Sequence, residues 1–253
     1  MEDLKDKTAL VTGASTGIGA AVAIAFAARG MRVAVHYNSS ATAANDVVET
    51  IRAAGGAAIA VKADVRDTAA IRDSVKQTAA EFGRIDVLVN NAGSLVKRVP
   101  IAEFDDALFD EVMHINARSV LAYCREVVPL MRAQGGGNII NVTSVAARTG
   151  GGPAAYLYAG SKGFVSTVTH GLAKELVGDR IRVNAVAPGV IQTPFQERFS
   201  TPAMLENFRA SIPMGRIGEP EECVGAFLYL ASEQLSGYVT GQVIEVNGGQ
   251  YMP

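Results

Sequence analysis

The chain has 253 residues, which fits one large α/β domain as well as two small ones. Hydrophobic residues make up 49% and charged residues 19%, a composition that supports a large buried core. Lys and Arg number 23 against 25 Asp and Glu, a formal net charge of -2, and the absence of a basic block argues against a nucleic-acid surface.

The opening Met1-Glu2-Asp3-Leu4-Lys5-Asp6 is charged and has no apolar run of the signal-peptide kind. No apolar stretch reaches about 18 residues, so no membrane span is expected, and the expected setting is the cytoplasm. Cys124 and Cys223 stand in apolar, helix-like contexts and read as core-filling thiols, not as a disulfide framework.

Thr8 to Thr12 is a short apolar run that reads as a buried strand. Gly13-Ala-Ser-Thr-Gly17-Ile-Gly19 follows at once, and Ala20 to Arg29 reads as a small-residue helix stopped by Gly30. Strand, glycine turn and helix in that order form the context in which glycines bind a phosphate against free helix N–H groups. Gly13 permits the tight turn, Gly17 lets a pyrophosphate approach the backbone and Gly19 lets helix pack on strand. The spacing is G-x-x-x-G-x-G, not the G-x-G-x-x-G of the longer-known dinucleotide fingerprint. A glycine turn with no ligand is the competing reading.

Arg32 to His36 reads as the second strand, with His36 as packing at its end. An acidic residue beyond that end would accept from a ribose 2′-hydroxyl and repel a 2′-phosphate. The chain has Tyr37-Asn38-Ser39-Ser40 there, with no carboxylate, which leans toward NADP with NAD possible. Ala43 to Ala54 reads as a helix, Ala57 to Lys62 as the third strand with Asp64-Val65 just after it, and Asp67 to Phe82 as a helix capped by Asp67. Ile85 to Val89 is the fourth strand, running into Asn90-Asn91-Ala92-Gly93 at the carboxyl end where ligands of open α/β sheets bind.

Phe104 to Met131 reads as one long helix containing Asn116, which is costly in an apolar helix unless its amide is satisfied. Asn138 to Thr143 is the fifth strand, with Ser144 at its end, and Arg148 to Pro153 is a glycine-rich loop. In Tyr158-Ala-Gly-Ser-Lys162 the phenol and the ammonium lie four apart on one helical face. A cation there would lower the phenol's pKa from about 10 toward neutrality and let it exchange a proton with a substrate oxygen. Such a pair also occurs on surface helices. This helix runs to about Leu176, and Ile181 to Val186 is the sixth strand, followed by Pro188-Gly189-Val190-Ile191-Gln192-Thr193. Residues 194–218 read as an irregular substrate lid, Glu219 to Ser232 as a helix with Pro220 in its first turn, and Gln242 to Val246 as the last strand. Strands and helices alternating at this pace imply a single-domain, doubly wound, Rossmann-type parallel sheet of about seven strands over residues 1–253, helices on both faces.

In family order, Thr12-Gly13-x-x-x-Gly17-Ile18-Gly19, Asn90-Asn91-Ala92-Gly93, Asn116, Ser144, Tyr158-x-x-x-Lys162 and Pro188-Gly189 resemble the short-chain dehydrogenase/reductase family over nearly the whole chain. Gly237-Tyr-Val-Thr-Gly241 and Val246-Asn-Gly-Gly249 are similar to the branch of 3-oxoacyl-acyl-carrier-protein reductases and bacterial glucose dehydrogenases. The resemblance implies that Tyr158 is general acid and base, that Lys162 lowers its pKa and holds the nicotinamide ribose, that Ser144 bonds the carbonyl oxygen, and that Asn116 holds a water linking Lys162 to solvent. It implies cofactor contacts from Gly13, Ser15, Thr16, Gly17, Ile18 and Gly19, from Tyr37, Asn38, Ser39, Asp64 and Val65, from Asn90, Ala92 and Gly93, and from Pro188, Gly189, Ile191 and Thr193. It requires no metal, and His36, His114 and His170 lack metal-like spacing.

Ser144 and Tyr158 stand one position farther apart than is usual in the family, and Gly150-Gly151-Gly152 can absorb the extra residue. Tyr156 has no Lys four residues on, and the arginine common before the second glycine of NADPH-dependent acyl-carrier reductases is Thr16 here. The leading expectation is an NAD(P)-dependent oxidoreductase that moves a hydride between nicotinamide and a ketone or secondary alcohol, as a 3-oxoacyl-thioester-type carbonyl reductase using NADPH. An NAD-dependent sugar or polyol dehydrogenase and a non-catalytic cofactor sensor are the alternatives. A small-molecule substrate and a homotetramer, built on paired long helices and the C-terminal tail, complete the expectation.

Overall fold

The computed structural model describes residues 1–253. Seven parallel strands lie in the order β3-β2-β1-β4-β5-β6-β7, with β1 at Thr8–Val11, β2 at Arg32–Tyr37, β3 at Ala57–Lys62, β4 at Val87–Asn90, β5 at Gly137–Val142, β6 at Ile181–Pro188 and β7 at Val243–Val246. The strand order reverses between β1 and β4, so the two crossovers that start there leave a crevice at their carboxyl ends.

Strand alternation divides the core. Ala9, Val11, Val33, Val35, Val87 and Val89 face one side, and Leu10, Ala34, Leu88 and Ile139 face the other. The first layer is closed by α1 (Gly17–Ala27), α2 (Ala41–Ala53) and α10 (Pro220–Ala231), through Val22, Phe26, Ile51, Phe227 and Leu230. The second is closed by α3 (Thr68–Phe82), α5 (Ser119–Ala133) and α7 (Tyr156–Leu176), through Ile71, Val75, Tyr123, Met131, Val165 and Leu176. Each fully buried Leu, Ile or Phe side chain contributes roughly 1.5–3 kcal/mol. Cys124 and Cys223 are buried free thiols in these layers, as their contexts predict.

Local chemistry sets the helix ends. Asp67 caps α3, its carboxylate accepting from Ala69 N at 2.8 Å, and Gly83 closes that helix at φ 77°. Pro220 opens α10 behind a capping box of Glu219 and Glu222. No helix is long and apolar enough to cross a membrane.

Several expectations need correction. The small-residue helix starts at Gly17, within the glycine turn, and stops at Ala27. The helix expected over residues 104–131 starts at Asp106, because Asp105 is extended and caps Leu108 N at 2.7 Å. It runs as α4 (Asp106–Met113), a π turn over His114–Arg118, and α5 to Ala133. The glycine-rich loop is preceded by a one-turn helix, α6 (Ala146–Thr149), which Gly150 ends. The segment expected to be irregular holds α8 (Pro194–Phe199) and α9 (Pro202–Ser211), each with Pro in its first turn. A last short helix, α11, spans Glu233–Ser236.

Candidate active site

A cleft of about 810 Å³ opens along the carboxyl ends of the strands. Its floor starts at the glycine turn. Gly13 has φ 62°, and a Cβ on it would lie 2.9 Å from Ala92 Cα, so neither conformation nor space admits another residue. A Cβ on Gly19 would collide with the Gly13 carbonyl, which is why turn and helix can stack. Ser15, Thr16, Gly17 and Ile18 line the cleft at the start of α1, where no side chain caps the free N–H groups.

The turn is held by residues whose part the sequence does not disclose. His36 is 1% exposed; its Nδ1 accepts from Gly13 N at 2.9 Å, so Nε2 carries the proton toward Ala63 O at 3.0 Å. Burial holds this imidazole down at about 4, and it stays neutral. Thr12 Oγ1 accepts from Asn91 N and Ala92 N, both at 2.9 Å, while Asn91 Nδ2 donates to the Thr12 and Gly13 carbonyls at 2.8 and 3.0 Å. Asn91, Ala92 and Gly93 border the cleft. Asn90 does not bring its side chain there: it is the last residue of β4, points into the core and donates to Asn141 Oδ1 at 2.9 Å.

Tyr37, Asn38, Ser39 and Ser40 border one end of the cleft with Asp64 and Val65. Arg66 also lines that end and pairs with Asp64 at 2.6 Å and Glu111 at 3.2 Å. The guanidinium hydrogen bonds hold the Asp64 carboxyl below its ordinary value.

Ser144, Tyr158 and Lys162 share one wall of the cleft, so the longer glycine loop still delivers the tyrosine. Ser144 Oγ accepts from Ala146 N at 3.1 Å, fixing the hydroxyl at the β5 exit. Lys162 is 3% exposed, donates Nζ to Val142 O at 2.8 Å and stands 5.8 Å from the Tyr158 ring centroid. Burial pushes the ammonium down to about 8. The pairing alone predicts a lowered phenol, but burial pushes it up to about 12, offset only in part by the Ser144 hydroxyl. Desolvation of the phenolate outweighs a cation that another oxygen holds.

Asn116 is fully buried in the π turn and does not line the cleft. Its Nδ2 donates to Ser94 O at 2.8 Å and Val112 O at 2.9 Å, and its Oδ1 accepts from Ser94 N at 3.0 Å. The side chain thus ties the strand-exit loop to the helix. A Cβ on Gly93 would meet Asn116 Oδ1 at 2.9 Å and Lys162 Nζ at 3.1 Å, so the three residues converge and a larger residue would displace one of those side chains.

Pro188, Gly189, Ile191 and Thr193 complete the floor, with Thr193 against Gly17. The roof comes from the segment after them, through Phe195, Gln196, Arg198 and Phe208, with Phe195 centred 5.6 Å from the Tyr158 ring. A cleft with a side-chain-free glycine turn at a helix N-terminus and a Ser, Tyr and Lys wall has the lining that a dinucleotide requires.

Residues 13–250 match a family model described as Enoyl-(Acyl carrier protein) reductase. The chain belongs to the short-chain dehydrogenase/reductase family. It is 42% identical to a 3-oxoacyl-[acyl-carrier-protein] reductase of Synechocystis sp., with 100% of both chains covered. Among solved structures, the NADH-dependent reductase A1-R' responsible for alginate metabolism superposes with a TM-score of 0.91 at 38% identity, with 100% of both chains covered. A short-chain type dehydrogenase/reductase from Mycobacterium marinum superposes at 0.94 with 37% identity, covering 100% of this chain and 98% of that one. This member of the family is an NAD(P)-dependent oxidoreductase acting on a CH–OH or ketone carbon.

Proposed function

We propose that the enzyme reduces the 3-oxo group of an acyl thioester or a similar ketone, with NADPH preferred. The observation that carries this reading is the convergence of Ser144, Tyr158 and Lys162 on the same cleft that an uncapped helix N-terminus lines. Ser144 donates to the carbonyl oxygen where negative charge develops, and Tyr158 delivers the proton to the same oxygen. Lys162 keeps a cation behind the phenol and binds the ribose hydroxyls. Asn116 keeps the Ser94 loop and Lys162 in register, and any water it binds would be held by its backbone, because its amide is already committed. A bound nicotinamide supplies the hydride. Residues 194–218 close over the substrate as a lid.

The cofactor preference rests on Tyr37-Asn38-Ser39-Ser40, which border the cleft without a carboxylate to repel a 2′-phosphate. No arginine stands among them to grip it, so the expected preference is modest, about 1–2 kcal/mol or roughly ten- to thirtyfold. The NADH dependence of the A1-R' reductase favours the opposite choice and makes the measurement decisive. Turnover of 3-oxoacyl thioesters, simple ketones and sugar alcohols, read at the nicotinamide absorbance band with each cofactor, tests the reaction. Dissociation constants for NADPH and NADH on wild type and Tyr37→Asp test the preference, which the new carboxylate should reverse. Tighter NADH binding by wild type would move the assignment toward the NAD-dependent sugar or polyol dehydrogenase.

A further inference from the structure

The two ends of the cleft differ in charge. Toward Tyr37, the acids Asp64 and Glu111 are both engaged by Arg66. Toward the lid the cleft is lined by no Asp or Glu, and its cations there are Arg98 and Arg198. Arg198 is exposed over the Phe199 ring at 5.1 Å, where solvent screens it.

Arg98 is different. It is half-buried, donates Nε to Phe199 O at 2.9 Å and Nη1 to Pro153 O at 2.8 Å, and so bridges the glycine-rich loop and the lid. A Cβ on Gly152 would lie 3.5 Å from Arg98 Nη1 and 3.2 Å from Phe208 Cζ, which places the guanidinium against the lid's aromatic lining. Phe199 in turn meets the Phe195 ring edge-on, and Phe195 lies tilted against Tyr158. Arg98 forms no ion pair, and its Nη2 has no partner in the chain. Burial lowers its pKa with no acid to oppose the shift. A strap between two carbonyls needs only neutral donors. A fixed guanidinium with an unused edge and no counter-ion is arranged to receive an oxyanion.

We infer that Arg98 binds an anionic group, a carboxylate or a phosphate, carried by the substrate away from its reacting carbonyl. This rests on the carbonyl-reductase reading and adds a class to it: the ketones handled best are charged. The guanidinium fork takes the anion on its free edge, while the carbonyls of Pro153 and Phe199 keep the side chain from swinging into solvent.

Two matched probe pairs separate the sources of the anion. One is a 3-oxo ester ending in an ω-carboxylate against the same ester ending in an ω-amide. The other is acetoacetyl-coenzyme A against the acetoacetyl N-acetylcysteamine thioester, which lacks the phosphates. Calorimetric binding is measured with NADP+ present, so that nothing turns over, and kcat/KM is measured separately with NADPH. In at least one pair the anionic member should bind about tenfold tighter or more. Arg98→Gln should bring the ratio close to one, and Arg98→Lys should retain only part of it, because an ammonium keeps the charge but cannot hold both carbonyls and the anion at once. Equal binding within both pairs on wild type overturns the inference, as does an Arg98→Gln variant that weakens both members equally, the mark of a purely structural strap. If the binding preference holds and no probe is reduced, the failure falls on the carbonyl-reductase reading and the anion site stands.

Discussion

Burial moves Tyr158 up to about 12 and Lys162 down to about 8, one cause acting on an acid and a base with opposite sign. At neutral pH the phenol keeps its proton, the state needed to protonate a product alkoxide. The reverse oxidation needs the phenolate and should gain rate as pH rises. Tyr158→Phe removes the donor and keeps the ring on Phe195, so cofactor binding should hold while turnover falls. General acids contribute on the order of 10²–10⁴-fold, and the loss is expected at the upper end or beyond; more than about a tenth of wild-type turnover refutes the role. His36 makes a second prediction. Its native pKa of about 4 lies below the ordinary 6.5, so the unfolded chain binds the extra proton between these values and stability falls as pH drops through that window. Wild type should lose roughly 2 kcal/mol more than His36→Gln between about pH 7 and 5. Denaturant titrations at both pH values measure this; equal losses would mean that the imidazole is not held neutral by Gly13.

The glycine turn between β1 and α1 is the element that tolerates least. Ala at Gly13 must hold φ near 62° with its Cβ 2.9 Å from Ala92 Cα, a strain of order 1–3 kcal/mol that also disturbs the bond from Gly13 N to His36. Gly13→Ala should therefore lower the unfolding free energy by at least about 1 kcal/mol and weaken dinucleotide binding. A variant as stable as wild type in a denaturant melt would contradict this. Elements fixed by local chemistry were legible: the apolar runs of the strands, the Asp67 cap, Pro220 at the start of α10 and the glycine stops. Elements fixed by partners were not. The π turn at Asn116 answers to Ser94, far away in sequence. Helix α8 is only six residues long and α9 fully buries none of its residues, so only their prolines hint at them. The site was legible as a set of residue types, but which of Asn90 and Asn91 faces the cleft depends on where β4 ends. The direction of the Tyr158 shift depends on burial, which a cation four residues away does not reveal.

The molecule leaves large apolar side chains exposed on α4, α5 and α7. Phe109 on α4 is 45% exposed, and Leu121 on α5 and Phe164 on α7 are each 37% exposed, although these helices are otherwise well packed. The Tyr156 hydroxyl nearby is buried with no partner, and its ring meets Phe104 edge-on at 6.5 Å. In the C-terminal tail, Met252 is 78% exposed just before the last residue, Pro253. Single exposed apolar side chains are ordinary, but we propose that a partner covers Phe109, Leu121 and Phe164. A second copy across a two-fold axis would set the same helices against one another and bury them in pairs. The family resemblance implies a second axis near the C-terminal tail, and two such axes would make a tetramer. Interfaces stable at micromolar concentration bury on the order of 1,600 Å², which aromatic side chains of this size can anchor. Light scattering at micromolar concentration should give four chains. Leu121→Asp with Phe164→Asp should give two, because charges facing each other across the helix interface break that contact and leave the tail contact whole. The cleft lies at the strands' carboxyl ends, away from α5, so the dimeric variant should keep its dinucleotide affinity. A wild-type monomer would refute the assembly, and a tetramer that survives both substitutions would move its interface elsewhere.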